Sequence, residues 1–556
     1  MGRRLVPLAV LIALVTWLPS MISGQGENAA AGPGSPAIKS LSPEEAGNRV
    51  GADTPNTSLA SSLSDAERLY RAGKFAAAAQ EFNSLITSGS QPAIAYAGLT
   101  RVYLKEKKPA EAYAAAAKAI ELQPTLPDAH IAVGEAYFRQ GRIAEAENEF
   151  VTLVRAGTPR ARAYWGMARV SQANSFYRQA KRMIDKAHDL DPADPDIQRF
   201  WLSTVSLQDQ IKSLQDYLSR ETNDDAKNRR DLERELVILE NEAAQPTRPC
   251  QLATKVSSTQ TNLRRLLIDA NRIRGYGLNV QVNGTAATLL VDTGASGVLV
   301  DRKVAEKAGI KQVVQSSVRG IGDQGEPASF VGHADSIRIG DLEFKDCYVE
   351  VIERNSVAGD DGLIGADVFS HFLVDLDFPN GKLRLSELPS FPGEPAPTAA
   401  LESRTETKPQ FHDRYVAPEM RSYWPVFRFG HELVISTRLN SSTPKLFLID
   451  SGSLNNTISP EAAREVTKLS ADSNARVKGL NGKVNDVFRA NELILSFANF
   501  REINRDMIAF DTNRMSDDTG TEISGILGFA MLWMLEIKID YRDGLVNFEY
   551  DPNRWR

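Results

Sequence analysis

Two short segments of this chain end a predicted strand on the same charged pattern. Residues 289–295 read LLVDTGA and residues 447–453 read FLIDSGS, so their aspartates, Asp292 and Asp450, lie 158 residues apart. The apolar run in each segment predicts a buried strand. In both, the strand stops at an aspartate that is followed by a hydroxyl residue and a glycine. The repeated ending predicts that the fold brings two carboxylates to one site.

The two halves correspond beyond these motifs. The glycine-rich segments VRGIG (318–322) and VKGLNG (477–482) correspond, as do GLIG (362–365) and GILG (525–528). Each half also contains a dipeptide, Asn-Gly or Asp-Gly, that suits the tight turn of a twisted hairpin. The sequence therefore predicts a β unit that has been duplicated.

The boundaries of the two copies follow from composition. Short alternating strands broken by Gly, Asn and Asp begin after the proline-containing segment 245–249, which predicts a mainly β region. A proline-rich and then polar stretch divides this region in two. We expect a first lobe at residues 270–390, a linker at 391–421 and a second lobe at 422–556.

The motifs and their spacing resemble those of retropepsin-like aspartic proteases, with two lobes in one chain where retroviral proteases use two chains. The resemblance implies that Asp292 and Asp450 are catalytic. It implies supporting roles for the residues that follow them, Thr293, Gly294, Ser451, Gly452 and Ser453. It also implies that hairpins called flaps close over a bound peptide, with Gly320, Ile321, Gly322, Gly479, Leu480 and Gly482 as the flap residues.

Paired carboxylates have a defined chemistry. Two like charges a few ångströms apart cannot both ionise, so the pair holds one proton. One carboxylate can then take a proton from water while the other donates one to the scissile carbonyl. Ser453 stands where Ala295 stands in the first lobe, and in pepsin-like lobes a hydroxyl there supports a carboxylate oxygen. This difference predicts that the two aspartates of the pair are not equivalent. The alternative to a catalytic role is that both aspartates only cap turns.

A second periodicity precedes the β region. Ala78, Ala112, Ala146 and Ala180 are spaced by 34 residues, and this period with small residues before aromatic ones resembles the tetratricopeptide repeat. The resemblance implies an all-α superhelix of four helical hairpins, with a capping helix over residues 195–244. We expect this array to span residues 61–245. It would bind a substrate or a protein partner, the alternative being that it is a spacer.

The N-terminal residues predict export. Two arginines precede an uncharged run at residues 5–22 and small residues follow it, which is the pattern of a signal peptide over residues 1–24. A flexible spacer is expected at residues 25–60. We therefore expect a periplasmic or extracellular protein, or a membrane-anchored one if the segment stays uncleaved. Cys250 and Cys347 either pair, or Cys347 is simply a buried strand residue.

Composition excludes other classes of function. The formal net charge is −6 and charged residues make up 24% of the chain, so we expect no nucleic-acid partner. The six histidines lack ligand spacing, and neither a metal nor a cofactor is predicted. The sequence thus predicts an exported aspartic endopeptidase that acts on a peptide or protein. The alternative is a non-catalytic peptide-binding or scaffold protein with the same fold. A fragment starting near residue 260 is expected to cleave small peptides without the array.

Overall fold

The computed structural model describes residues 57–219, 226–244, 250–270, 272–352, 361–392 and 411–555. The predicted signal peptide, most of the spacer and the centre of the linker lie outside these residues. Among the described residues, no helix is both long enough and apolar enough to cross a membrane.

The first part of the described chain is helical and forms four antiparallel hairpins followed by three further helices. The helices are α1 (Thr57–Arg71), α2 (Phe75–Thr87), α3 (Pro92–Lys105), α4 (Pro109–Leu122), α5 (Pro127–Arg139), α6 (Ile143–Arg155), α7 (Ala161–Ala173), α8 (Tyr177–Leu190), α9 (Pro195–Leu202), α10 (Leu207–Leu218) and α11 (Ala226–Ala244).

Small residues at repeated positions explain how the hairpins pack. Ala78, Ala112 and Ala146 are fully buried, and Ala180 is 4% exposed. A Cβ atom added to Gly98 would lie 2.3 Å from the ring of Phe82, so the helices approach more closely than any larger side chain allows. The 34-residue period therefore marks the contacts between neighbouring helices.

The segment predicted as a capping helix is divided into three helices. The side chain of Asp194 accepts hydrogen bonds from the backbone N–H groups of Asp196 and Ile197, and that of Ser206 accepts one from Asp209. Each of these residues caps the start of a new helix. The apolar spacing across this region is helical, but the caps start α9 and α10 separately.

The rest of the chain is mainly β. Its strands are β1 (Gln251–Leu252), β2 (Ser258–Asp269), β3 (Arg272–Val282), β4 (Thr285–Asp292), β5 (Val298–Asp301), β6 (Lys311–Ser317), β7 (Ala328–Ile339), β8 (Leu342–Ile352), β9 (Gly362–Gly365), β10 (Phe372–Asp377), β11 (Lys382–Glu387), β12 (Trp424–Pro425), β13 (Phe427–Phe429), β14 (Glu432–Leu439), β15 (Lys445–Asp450), β16 (Thr457–Ile458), β17 (Leu469–Ala471), β18 (Lys478–Gly479), β19 (Gly482–Lys483), β20 (Phe488–Ala490), β21 (Leu493–Phe497), β22 (Phe500–Asn504), β23 (Met507–Ala509), β24 (Gly525–Gly528), β25 (Glu536–Asp540) and β26 (Leu545–Glu549).

Four short α-helices lie among these strands in the described residues: α12 (Arg302–Lys307), α13 (Pro460–Val466), α14 (Asn513–Thr519) and α15 (Phe529–Leu532). We call the described residues 250–392 the first β unit and 411–555 the second. The first sheet begins before the expected boundary at residue 270, because β1 and β2 precede it and β2 pairs with both β3 and β11.

The two β units share a local topology around the motif strands. In the first, β4 runs parallel to β9, which pairs antiparallel with β5. In the second, β15 runs parallel to β24, which pairs antiparallel with β16. The motif aspartate thus ends a central strand in both units, next to the last glycine of a Gly-apolar-apolar-Gly strand.

One sheet continues from the first β unit into the second. Strand β10 pairs with β25, joining Val374 to Ile539 and Leu376 to Ile537. The side chains of all four residues are buried in one common apolar core. The two units therefore form one continuous body.

The helical array packs directly against the second β unit. Thr521 donates a hydrogen bond from Oγ1 to the carbonyl of Phe138 at 2.6 Å, and the N–H of Glu522 donates to the carbonyl of Arg139 at 2.8 Å. Apolar side chains of both parts share a buried cluster: Phe138, Ile143, Ala146, Phe150, Met167 and Val170 from the array, with Val434, Leu446, Leu448, Phe510, Ile523 and Ile526 from the β unit.

Cys250 and Cys347 form a disulfide. It links the residue before β1 to the middle of β8, where Cys347 is fully buried. Cys347 is therefore both a buried strand residue and a disulfide-bonded one, so each of the two interpretations of the sequence is correct.

Candidate active site

The two motif loops are locked together by crossed hydrogen bonds. The backbone N–H of Thr293 donates to Oγ of Ser451 at 3.1 Å, and the N–H of Ser451 donates to Oγ1 of Thr293 at 3.0 Å. Each hydroxyl also donates to a carbonyl of the opposite strand, Thr293 to Ile449 at 2.8 Å and Ser451 to Val291 at 2.9 Å. Both side chains are 1% exposed, so the motifs of the two halves meet within one chain.

This lock holds the two aspartates face to face. A Cβ atom added to Gly452 would lie 2.2 Å from Oδ2 of Asp292, and one added to Gly294 would lie 2.7 Å from Cγ of Asp450. Each carboxyl therefore rests on the glycine of the opposite motif, which must lack a side chain. The two carboxyls hydrogen-bond to each other.

The two aspartates differ in their backbone donors. Asp292 accepts the N–H of Gly294 at 2.9 Å on Oδ1. Oδ1 of Asp450 accepts two N–H groups, from Gly452 at 2.8 Å and Ser453 at 3.0 Å. Ser453 thus supports Asp450 through its backbone N–H, where the sequence suggested its hydroxyl. The asymmetry expected from this position arises because the main chain supplies one more donor to Asp450.

Burial raises the pKa of both aspartates. For Asp292 the neighbouring Asp450 raises it further, and the result is well above the usual range. For Asp450 the hydrogen bond from Asp292 and the N–H groups of Ser453 and Gly452 oppose the rise. These contacts favour the ionised form of Asp450, while the single proton belongs to the pair as a whole.

The predicted flap segments meet above the pair. Asn481 donates its N–H to the carbonyl of Ile321 at 2.9 Å, and Gln324 donates to the carbonyl of Asn481 at 2.9 Å. Of the predicted flap residues, Gly320, Ile321, Gly322, Gly479 and Leu480 line the cavity above the aspartates. Gly482 lies against Gln324 in the turn of the second flap. Backbone hydrogen bonds thus join the two predicted flap segments to each other.

The array forms a third wall of this cavity. The volume is about 1280 Å³ and is lined by Asp292, Asp450 and both flaps, and also by residues of α3, α5, α7 and α9–α11. Helix α14 connects the parts. Its Asp517 pairs with Arg139 of the array at 3.2 Å and with Lys107, while Asp518 pairs with Arg319 of the first flap at 3.5 Å. The array, α14 and the first flap are therefore linked by ion pairs.

Two residues that contact the motif loops were not predicted from the sequence. Arg274 donates from Nη1 to the carbonyl of Gly452 at 2.9 Å, and Nε2 of His431 lies 3.3 Å from the carbonyl oxygen of Gly294. Burial lowers the pKa of His431, which favours the neutral form of its ring. The signal that could have found them is their place before each motif, 18 residues before Asp292 and 19 before Asp450.

The chain is a helical repeat region followed by a mainly β region in which the two motif loops meet. Residues 278–368 match the family model described as aspartyl protease, and residues 103–170 match that of the tetratricopeptide repeat. These matches confirm the resemblance to the tetratricopeptide repeat and, within the first β unit, the resemblance to aspartic proteases. The chain contains an aspartyl protease-like domain within the first β unit and tetratricopeptide repeats before it.

Individual relatives match over limited stretches. The UBA domain-containing protein Mud1 of Schizosaccharomyces pombe is 31% identical over 121 residues, covering 21% of this chain and 35% of the relative. The DNA damage-inducible protein 1 of Neurospora crassa is 31% identical over 136 residues, covering 24% and 30%. The chain thus spans about a third of the length of these curated relatives.

Two solved structures are also similar. The aspartic proteinase from Irpex lacteus matches with 15% identity over 53% of this chain and 98% of that protein, at a TM-score of 0.30. A retropepsin-like aspartic protease from Rickettsia conorii matches with 20% identity over 25% and 96%, at a TM-score of 0.18.

Proposed function

We propose that this protein is an exported aspartic endopeptidase whose two retropepsin-like lobes form one cleft. The first and second β units are the two lobes, and a water activated between Asp292 and Asp450 hydrolyses the peptide bond. The observation that carries this proposal is the pair of carboxyls, each seated on the glycine of the opposite motif. A turn-capping role needs neither the crossed hydrogen bonds nor the close approach of two acids.

The asymmetry of the pair assigns the two roles. Asp450, which has two backbone donors, is the general base that takes a proton from the water. Asp292 donates its proton to the carbonyl oxygen of the scissile bond as the water oxygen bonds to the carbonyl carbon. Asp450 then gives its proton to the leaving nitrogen as the carbon–nitrogen bond breaks, and Asp292 recovers a proton from the collapsing hydroxyl. The pair thereby returns to its starting state.

The flaps would hold an extended peptide over the aspartates. Their contacts with each other are backbone hydrogen bonds and glycine contacts, which can reform after a substrate enters. In this proposal the array selects the protein or peptide substrate, because its helices line the same cavity as the aspartates.

Export is proposed from two observations. The N-terminal 24 residues have the pattern of a signal peptide, and a disulfide such as Cys250–Cys347 persists in oxidising compartments. N-terminal sequencing of the mature protein should begin near Gln25. An intact Met1 recovered in a membrane fraction would instead indicate an anchored protein.

The catalytic proposal is tested with purified residues 25–556 and a mixed peptide library, assayed from acidic to neutral pH. The wild type should cleave, and Asp292→Asn and Asp450→Asn should each reduce turnover by about 10²–10⁴-fold, since each removes one acid–base group. Asp341→Asn is the matched control, because Asp341 is an exposed carboxylate of the first β unit. Binding of peptides without cleavage at any pH would favour the scaffold alternative.

A further inference from the structure

The array wall of the cavity is rich in cations. Among the described residues that line the cavity, the array contributes eight Arg or Lys and three Asp or Glu. Several of these cations already form ion pairs with carboxylates. Arg101 pairs with Glu67 at 2.6 Å, and Arg162 pairs with Glu135 at 2.7 Å and Asp194 at 2.8 Å.

Arg169 differs from its neighbours. Its guanidinium carbon lies 3.8 Å from the ring centroid of Phe138 and 4.6 Å from that of Trp165. Its hydrogen-bond partner is the carbonyl of Gly520 at 3.3 Å. In the part of the chain that the structure describes, no carboxylate lies within 4.0 Å of this guanidinium. Burial lowers the pKa of Arg169 to about 10, against the opposing influence of Glu135 and Asp196.

A half-buried guanidinium without a carboxylate partner is unfavourable in the protein alone. It becomes favourable when a ligand brings an anion, because Arg donates two parallel hydrogen bonds to a carboxylate. The position of Arg169 suggests which ligand. Arg169, Trp165 and Phe138 line the cavity that also contains Asp292 and Asp450, so a peptide in the cleft can extend to this wall.

We propose that Arg169, flanked by Trp165 and Phe138, is a subsite for a carboxylate of the substrate on one side of the scissile bond. The carboxylate is that of an Asp or Glu side chain, or the C-terminal carboxylate of a short substrate. The subsite makes the array a direct determinant of cleavage specificity. This inference rests on the proposed function of the cleft.

The test measures binding, so that it is independent of turnover. The full chain from residue 25 carrying Asp450→Asn is titrated with pools of labelled decapeptides, each pool fixed as Asp at one position and compared with the same pool fixed as Asn. We expect the Asp pool to bind about tenfold more tightly at one or two adjacent positions, as a charge-assisted hydrogen bond allows. Pools with free and amidated C-termini separate the two sources of carboxylate.

Arg169→Met should abolish this preference while the Asn pools bind as before. Arg169→Lys should keep part of it, because the charge remains but the paired donors are lost. Arg160→Met is the control, since Arg160 is an exposed cation of the array, 3.3 Å from Asp128, and should leave the preference intact.

Three results would overturn the proposal: equal affinity of the unsubstituted Arg169 protein for Asp and Asn pools, an equal loss for both pools on Arg169→Met, or an Asp preference that Arg169→Met leaves intact. The second result would mean that Arg169 only stabilises the fold through its hydrogen bond to Gly520. The Arg169→Met variant would then also have a lower thermal midpoint. If the pools discriminate but the wild type cleaves none of them, the subsite stands and the catalytic proposal fails.

Discussion

Arg274 and His431 occupy equivalent positions in the two β units, and each contacts the carbonyl of the glycine in the opposite motif. Leu278 pairs with Leu289 in the first unit as Ile435 pairs with Phe447 in the second, and Arg274 and His431 each lie four residues before these paired positions. The contacts are equivalent in geometry but not in charge, because burial favours the neutral form of His431 while an arginine remains protonated.

This difference predicts unequal effects on the pH profile. Arg274 lowers the pKa of both Asp292 and Asp450. The pair is active only after it has lost one of its two protons, because one carboxylate must be ionised to act as the base. Arg274→Gln removes a positive charge that favours this loss, so the acidic limb of the kcat/KM profile should move to higher pH. His431→Gln removes no charge and should leave the limb in place. The measurement is kcat/KM against pH for one cleaved peptide, and an equal shift in both variants would show that the positions act only by geometry.

Closure of the flaps is tested by a matched pair of glycines in the first flap. Gly322 and Gly325 both have positive φ, 127° and 87°. A Cβ at Gly322 would lie 2.5 Å from the backbone of Asn481, whereas one at Gly325 meets nothing within 4 Å. Both alanine variants strain the backbone, but only Gly322→Ala should separate the flaps and raise KM. Equal KM values in the two variants would argue against contact between the flap tips during turnover.

Glu432 makes stability depend on pH. It lines the cavity, and burial, with smaller contributions from Asp518 and Asp450, raises its pKa from 4.5 to about 8. The folded protein keeps this proton between those values while the unfolded chain loses it, so this contribution to stability falls as the pH rises through that range. Glu432→Gln should therefore raise the thermal midpoint at pH 9 and leave it unchanged at pH 4.

The control is Glu419→Gln, at an exposed position of the second β unit. It should leave the midpoint unchanged at both values. A gain for Glu432→Gln that is the same at both pH values would mean that packing, and not the charge, is responsible.

The sequence predicts the parts of the site that repeat. The ends of strands β4 and β15 are visible because an apolar run ends on Asp and Gly twice, and the flaps because their glycines correspond. Arg274 and His431 escaped this comparison because the hairpin between Thr437 and Lys445 is one residue longer than that between Val280 and Ala287. The two residues differ in type and also lie at different distances from their motifs, 18 residues before Asp292 and 19 before Asp450.

The sequence could not predict how the array and the β units pack together. The 34-residue period shows that Ala146 is buried and that a face of each hairpin is apolar. It does not show what covers that face at the end of a hairpin, where Phe138 meets Phe429 with ring centroids 6.3 Å apart. The pairing of β10 with β25 is equally invisible, because alternation predicts a strand and not its partner.

The array is expected to be necessary for the cleft, contrary to the expectation from the sequence. Leu446, Leu448, Ile523 and Ile526 are at most 4% exposed and share a buried cluster with the array. Removing the helices would expose this apolar face on the second β unit, and a large exposed apolar patch promotes aggregation. A fragment starting at residue 260 would also cut β2 and lose Cys250.

We therefore predict that even a fragment starting at residue 249, which retains the disulfide and every strand, aggregates or fails to cleave small peptides. A protein starting at residue 57 is the matched control and should keep wild-type kcat/KM, because it retains all the described helices. Size-exclusion chromatography and kcat/KM on one short peptide are the measurements.

Adding residues 57–248 as a separate chain should restore activity, since the contacts of Thr521 and Glu522 with α5 do not require a covalent link. A monomeric fragment with wild-type kcat/KM would show instead that the array is an accessory and that the β units build the cleft alone.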